Sequence, residues 1–190
     1  MYFERTLFIR GSLTLLIGAL AAAAILSGCG SGGTGQASTN PRPASSPPQY
    51  HQANYDVEIF SDWPQEESDK RVGAYSESAW ADPESAIITL RIDSRPSAGT
   101  GTPVANAELA RAQVNHLPGY QERSFGKISL GGRSAIRWTY NLFGEGRVGY
   151  FFSECGTSFA VLGATPPQAF ASLSESFQEM AGTIKALCSE

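Results

Sequence analysis

The sequence predicts an α+β domain in which an antiparallel sheet is flanked by helices. Three observations predict it. Alternating, strand-like segments come in two runs, three and then four, and a segment of helical spacing follows each run. Short turn signals at Gly131-Gly132, Gly144-Glu145-Gly146 and Cys155-Gly156 link the second run, which is how antiparallel neighbours are joined. The closing segment carries one apolar stripe, Phe170, Leu173, Phe177, Ala181, Ile184 and Leu187, at steps of three and four.

The first strand is Tyr55-Asp56-Val57-Glu58-Ile59-Phe60, which alternates until Asp62-Trp63-Pro64 breaks it. Residues 65–71 read as a charged loop. Residues 72–80 and 85–92 read as two strands joined by a turn at Ala81-Asp82-Pro83. Residues 94–101, rich in Pro, Gly and Ser, read as a second loop. A helix over 102–117 follows. Thr102 suits the N-cap and Pro103 the first helical position, where a missing N–H costs nothing. Val104, Ala107, Ala110, Val114 and Leu117 share one face, and Pro118-Gly119 ends the helix.

The second run begins with residues 124–130. In residues 133–142, Ile136, Trp138, Tyr140 and Leu142 fall on one face and Ala135, Arg137, Thr139 and Asn141 on the other. Val148, Tyr150 and Phe152 share a face of the next strand, and residues 158–163 form the last. Thr165-Pro166-Pro167 then opens the closing helix over 167–187.

The N-terminus reads as an address. Arg5 and Arg10 precede an uncharged apolar run from Leu13 to Ile25, which ends at Leu26-Ser27-Gly28-Cys29. That order of charge, apolar stretch and small residues is a secretory signal. Leu26-Ser27-Gly28-Cys29 resembles the lipobox of bacterial lipoproteins. The resemblance implies cleavage before Cys29, a diacylglyceryl group on its thiol, and an anchored protein on the extracytoplasmic face of a bacterial membrane. An ordinary signal peptide or an uncleaved anchor, with an incidental cysteine, is the alternative. Residues 1–28 are therefore expected to be a signal peptide, residues 29–52 a lipidated cysteine with a disordered Gly/Ser/Pro tether, and residues 53–190 one domain. Such a tether buries too little apolar surface to fold, and it reaches roughly 25 Å, from about 5–6 Å times the square root of its length.

Removing residues 1–28 takes away Glu4, Arg5 and Arg10 and moves the net charge from -4 to about -5. This is not the basic footprint of a nucleic-acid binder. With Cys29 lipidated, Cys155 and Cys188 remain as an even pair in an exported domain, which predicts a disulfide. The order of elements supports it, because the last strand runs away from the Cys155 turn and the closing helix returns. The bond would close a loop of 33 residues, worth roughly 3–4 kcal/mol in the loop-entropy account. A redox-active pair is the rival, against which stands the lack of a Cys-x-x-Cys spacing.

The layout as a whole resembles the Mog1/PsbP-like superfamily, an α/β/α sandwich. The matching pieces are the strand running to Asp62-Trp63-Pro64, the loop Leu117-Pro118-Gly119-Tyr120, the pair around Gly131-Gly132-Arg133-Ser134-Ala135, and the amphipathic helix after Thr165. The resemblance covers about residues 55–187 and implies the fold. Roles do not transfer by fold alone. A lipid-carrying half-barrel of larger curved sheet is the alternative architecture.

No catalytic, cofactor-binding or metal-ligating set is predicted. Gly144-Glu145-Gly146-Arg147-Val148-Gly149 matches a dinucleotide glycine pattern, yet it opens a strand, and that chemistry needs a helix N-terminus. His51 and His116 have no spaced partner. Glu66-Glu67-Ser68-Asp69 is either a weak cation site or a solvated segment, and Lys70 and Arg71 favour the second. Of Trp63, Trp80 and Trp138, Trp138 reads as core, and Trp80, beside a Pro turn, is the one to weigh as a ligand-stacking ring. The expected function is a non-catalytic module that binds another envelope protein through exposed loops at 65–71 and 94–101. The alternatives are a carrier or sensor of an apolar small molecule, held between the closing helix and the sheet where Phe170, Phe177, Trp138 and Tyr140 point, and a hydrolase with an unfamiliar site.

Overall fold

A computed structural model describes residues 47–59, 63–97 and 101–188. The expected signal peptide, Cys29 and most of the tether lie outside the described residues. In chain order the elements are β1 (Gln49–His51), β2 (Tyr55–Glu58), β3 (Gln65–Val72), β4 (Tyr75–Asp82), β5 (Ser85–Pro96), α1 (Pro103–Val114), β6 (Gln121–Leu130), β7 (Arg133–Leu142), β8 (Glu145–Glu154), β9 (Thr157–Thr165), α2 (Phe170–Thr183) and β10 (Lys185–Ala186). Seven strands form an antiparallel sheet in the order β3-β4-β5-β9-β8-β7-β6, and β1, β2 and β10 form a small sheet with β2 in the middle.

The two faces of the large sheet carry separate cores. On one, Trp80, Leu90, Ile92, Tyr150, Phe152 and Val161 pack with α2 and with Tyr55, Val57 and Ile59 of the small-sheet segment. On the other, Ile136, Trp138, Tyr140, Leu142 and Phe151 pack with Ala107 of α1. The period-2 alternation of β7 and β8 sorts these residues between the faces as the sequence predicts. The result is the α+β sandwich expected, with one helix on each side.

Helix α1 starts as predicted. The Thr102 hydroxyl accepts the Ala105 N–H at 3.2 Å, and Pro103 stands at the first turn. It ends at Val114 instead of residue 117, closed by the Asn115 N–H on the Arg111 carbonyl.

Four expectations need correction. Residues 65–71 are not a loop: they form edge strand β3, paired with β4 through two register shifts. An edge strand wetted along most of its length needs few apolar residues, and its Glu, Asp and Lys side chains hide the backbone pairing from a reading of hydrophobic pattern. The second loop is shorter than 94–101, because β5 runs to Pro96 against β9. Residues 49–52 do not belong to a disordered tether as expected: residues 49–51 form β1, and Gln52 is buried. Finally, the closing helix is not continuous over 167–187. Residues 167–169 make a single tight turn, the helix spans 170–183, and Ile184 is extended, leading into β10. Phe170, Phe177 and Ala181 keep the stripe and Ile184 stays buried, but Leu187 is 50 % exposed.

Arg133 explains the early end of α2. Its guanidinium donates to the carbonyls of Ala181, Gly182 and Ile184, so these acceptors are satisfied without another helical turn. Gly131 allows the approach: a Cβ there would strike the Gly182 carbonyl.

Candidate functional site

The described residues bring one polar cluster together on the α1 side of the large sheet, where β4 and β5 lie. Alternation fixes which residues stand there. Ser78, Trp80, Leu90 and Ile92 turn toward the α2 core, so Glu77, Arg91, Asp93 and Arg95 turn the other way. Glu77 and Asp93 are direct cross-strand partners. Two like charges facing each other repel, and Arg91 stands with both, at 3.1 Å from Asp93 Oδ2 and 3.8 Å from Glu77 Oε2.

Glu77 and Asp93 are each 9 % exposed. The second Asp93 oxygen, Oδ1, is buried without a hydrogen-bond partner, and so is Arg91 Nε. Burial, opposed by Arg91 and reinforced by the charge of Glu77, pushes the Asp93 carboxyl up to about 6. Next to this cluster the Arg95 guanidinium lies over the Tyr75 ring at 5.0 Å, donates to the Tyr75 hydroxyl at 2.9 Å, and donates to Asn106 Oδ1 of α1 at 2.7 Å. Burial also raises the Tyr75 phenol.

Helix α1 itself packs on β7 and β8, over the other half of the sheet. Leu109 on α1 is 49 % exposed and Ile87 at the start of β5 is 44 % exposed. The region therefore combines paired charges, an aromatic ring under a guanidinium, and two exposed aliphatic side chains.

The residues singled out from sequence lie outside this cluster. Trp63, Trp80 and Trp138 are all buried, so Trp80 is not a free stacking platform: Tyr50 of β1 meets it edge-on at 5.4 Å. That cover comes from a segment whose composition reads as tether. Trp138 stacks on Tyr140 at 4.0 Å in the α1 core, whereas Phe170 and Phe177 lie in the α2 core. The four rings expected to meet in a small-molecule pocket thus stand on opposite faces of the sheet. The Phe177 ring also occupies the space where a Cβ on Gly163 would sit.

Asp69 of the acidic segment is a structural bracket. Its carboxylate accepts the Ala53 N–H at 2.8 Å and the Ser76 hydroxyl at 3.0 Å, and Glu67 pairs with Lys70. His51 pairs with Asp56, and His116 is exposed beyond α1. Gly144 lies in a hairpin turn and Gly146 and Gly149 in β8. Among the described residues, no group of three or more His, Cys, Asp or Glu is placed to hold a metal ion.

Cys155 and Cys188 are bonded, with Cα atoms 4.9 Å apart, within the range for a disulfide. The bond joins the β8–β9 turn to the residues after β10. Both cysteines are exposed. No helix among the described residues is long and apolar enough to cross a membrane.

The Glu77–Arg91–Asp93 cluster is not among the sites expected from the sequence. A signal for it exists: Arg91, Asp93 and Arg95 recur at every second position of β5, alternating with the apolar Ile88, Leu90 and Ile92. That pattern marks a sheet face lined by charged side chains instead of an apolar core.

No protein-family model and no curated protein matches the sequence. Solved structures do match by shape. Cyanobacterial PsbP (CyanoP) from Synechocystis aligns over 85 % of this chain and 99 % of its own, with a TM-score of 0.58 and 13 % identity. LpqN of Mycobacterium tuberculosis, described as involved in cell envelope biogenesis, aligns over 70 % of this chain and 82 % of its own, with a TM-score of 0.43 and 20 % identity. A Pseudomonas aeruginosa protein of unknown function aligns over 70 % of this chain and 94 % of its own, with a TM-score of 0.43 and 16 % identity. The likeness to CyanoP makes the fold PsbP-like. At these identities it speaks to fold alone, and the two lower scores add nothing further.

Proposed function

We propose that this chain is a lipid-anchored, extracytoplasmic binding module without catalytic chemistry, which docks another protein of the bacterial cell envelope through the β4–β5 face beside α1. One observation carries the reading: the Glu77–Arg91–Asp93 and Tyr75–Arg95–Asn106 groups stand on a sheet face flanked by the exposed Ile87 and Leu109. Paired charges and aliphatic contacts side by side are what a protein interface uses, with the charges supplying orientation and the apolar groups area. The docking surface in this reading is a sheet face, not the loops suggested by the sequence.

The signal-like N-terminus ending at Cys29 supports export and anchoring, and the Cys155–Cys188 bond fits an oxidising compartment. The test is crosslinking in intact cells followed by mass spectrometry, with mass analysis of the N-terminal peptide. The expected results are a reproducible protein partner joined near Ile87 or Leu109 and a mature chain that starts at acylated Cys29. A co-purifying lipid or metabolite with no protein partner would overturn the docking reading, and an unmodified Cys29 would overturn the anchor.

A further inference from the structure

The disulfide sits at the β8–β9 turn beside the end of β5, where the Ser97 N–H bonds the Gly156 carbonyl, and its setting differs from that of a buried staple. Both cysteines are exposed. They form part of the wall of a cavity of about 470 Å³, together with Ala53, Asn54, Pro96 and Leu187. A thiolate that attacks a disulfide must reach one sulfur directly, so access decides whether such a bond is a substrate.

What the bond holds is limited. The chain is secured up to Ile184 by other means: Arg133 grips the carbonyls of Ala181, Gly182 and Ile184, the Thr183 hydroxyl accepts the Glu58 N–H at 3.0 Å, and Ile184 is buried. Beyond Ile184 the noncovalent ties are few. Lys185 and Ala186 pair with Asp56 and Tyr55, the Ala186 N–H reaches Glu154, and the Leu187 N–H reaches the Asn54 carbonyl. Opening the bond therefore removes the covalent restraint from the short segment after Ile184 and leaves the α2 core in place.

We propose that Cys155–Cys188 is a thiol–disulfide exchange site for a dithiol donor, and that its opening releases β10 from the edge of β2. The donor's first thiolate bonds to one of the two sulfurs as the Cys155–Cys188 bond breaks, and the electron pair leaves on the other sulfur. The donor's second thiolate then attacks the mixed disulfide, so the donor departs oxidised and both cysteines are left reduced, each taking up a proton from water. This makes the bond a substrate that is opened by a partner, which needs no Cys-x-x-Cys spacing in this chain. The freed edge of β2, Tyr55–Glu58, then presents backbone groups that an extended segment can pair with.

The experiment treats the full chain with dithiothreitol in native buffer, blocks thiols with N-ethylmaleimide, and maps both adducts and amide hydrogen exchange. Both Cys155 and Cys188 are expected to be blocked without denaturant. Protection at the Leu187 amide is expected to fall about tenfold or more and to approach that of an unstructured segment, while Tyr150 and Val161 in the central strands, whose protection drops with the loss of the loop restraint, remain protected about a hundredfold or more. A C155S/C188S variant is expected to fold and to show the same local exchange. Blocking that occurs only after denaturant is added would overturn the proposal. So would collapse of protection at Tyr150 and Val161 to the level of Leu187 on reduction, or failure of the double variant to fold, because either makes the bond a global staple.

Discussion

Arg133 Nη1 stands 2.6 Å from Glu154 Oε2, and the same guanidinium bonds three carbonyls at the end of α2 while lying over the Phe152 ring at 4.2 Å. One side chain at the start of β7 thus joins the end of a helix, the end of β8 and the core. Desolvation lowers the Arg133 pKa and Glu154 opposes that shift, so the ion pair is what keeps the charge tolerable there.

Replacing Arg133 by Ala should destabilise the domain by roughly 2 kcal/mol or more, because several charge-assisted bonds to carbonyls go unmade. Arg133→Lys should recover only part of this, since an ammonium cannot fork among three acceptors as a guanidinium does. Urea unfolding midpoints of the two variants and the parent check the order parent, Lys, Ala.

Asp93 makes stability depend on pH. Its carboxyl titrates at about 6 in the folded domain against an ordinary value of 3.8. The folded state therefore binds the proton more tightly. The stability gained from that is fully present below about pH 4 and is lost as pH rises through about 6. A tenfold difference in proton affinity is worth about 1.4 kcal/mol, which bounds the whole effect at about 3 kcal/mol. Asp93→Asn should flatten this part of the pH profile and leave the domain more stable than the parent at pH 8. Thermal or urea unfolding between pH 4 and 8 measures it.

Gly163→Ala should cost about 1–3 kcal/mol, because the added methyl overlaps the Phe177 ring in a fully packed core. Pairing it with Phe177→Leu should return part of the loss, and a double-mutant cycle reads the coupling. If the core between α2 and the sheet instead holds room for a small molecule, Gly163→Ala alone will be tolerated.

Much of the fold is legible in the sequence. The faces of β7 and β8, the Thr102 cap, and the turns at Gly131-Gly132 and Cys155-Gly156 follow from local period and turn chemistry, and the pairing of Cys155 with Cys188 follows from cysteine number and element order. What stays hidden depends on tertiary partners. Gln65-Glu66-Glu67-Ser68-Asp69 becomes a strand because β4 supplies backbone bonds and an edge needs little apolar surface. The break after Thr183 depends on Arg133, about fifty residues earlier in the chain, and no helical pattern reports it. The Trp80 ring is covered by Tyr50 from a segment whose composition reads as tether. The polar face is readable as an alternation in β5, but the convergence of Glu77 on Arg91 requires the β4–β5 register.

The docking of a protein partner on the β4–β5 face is tested most directly by placing a photocrosslinking amino acid at single positions of the full chain in intact cells. Ile87 and Leu109 flank the proposed surface, and Glu175 and Glu179 on the exposed side of α2 serve as controls. One discrete protein adduct is expected from positions 87 and 109 and none from 175 and 179. Adducts from α2 alone, or from no position while the protein is folded and abundant, would contradict docking on this face.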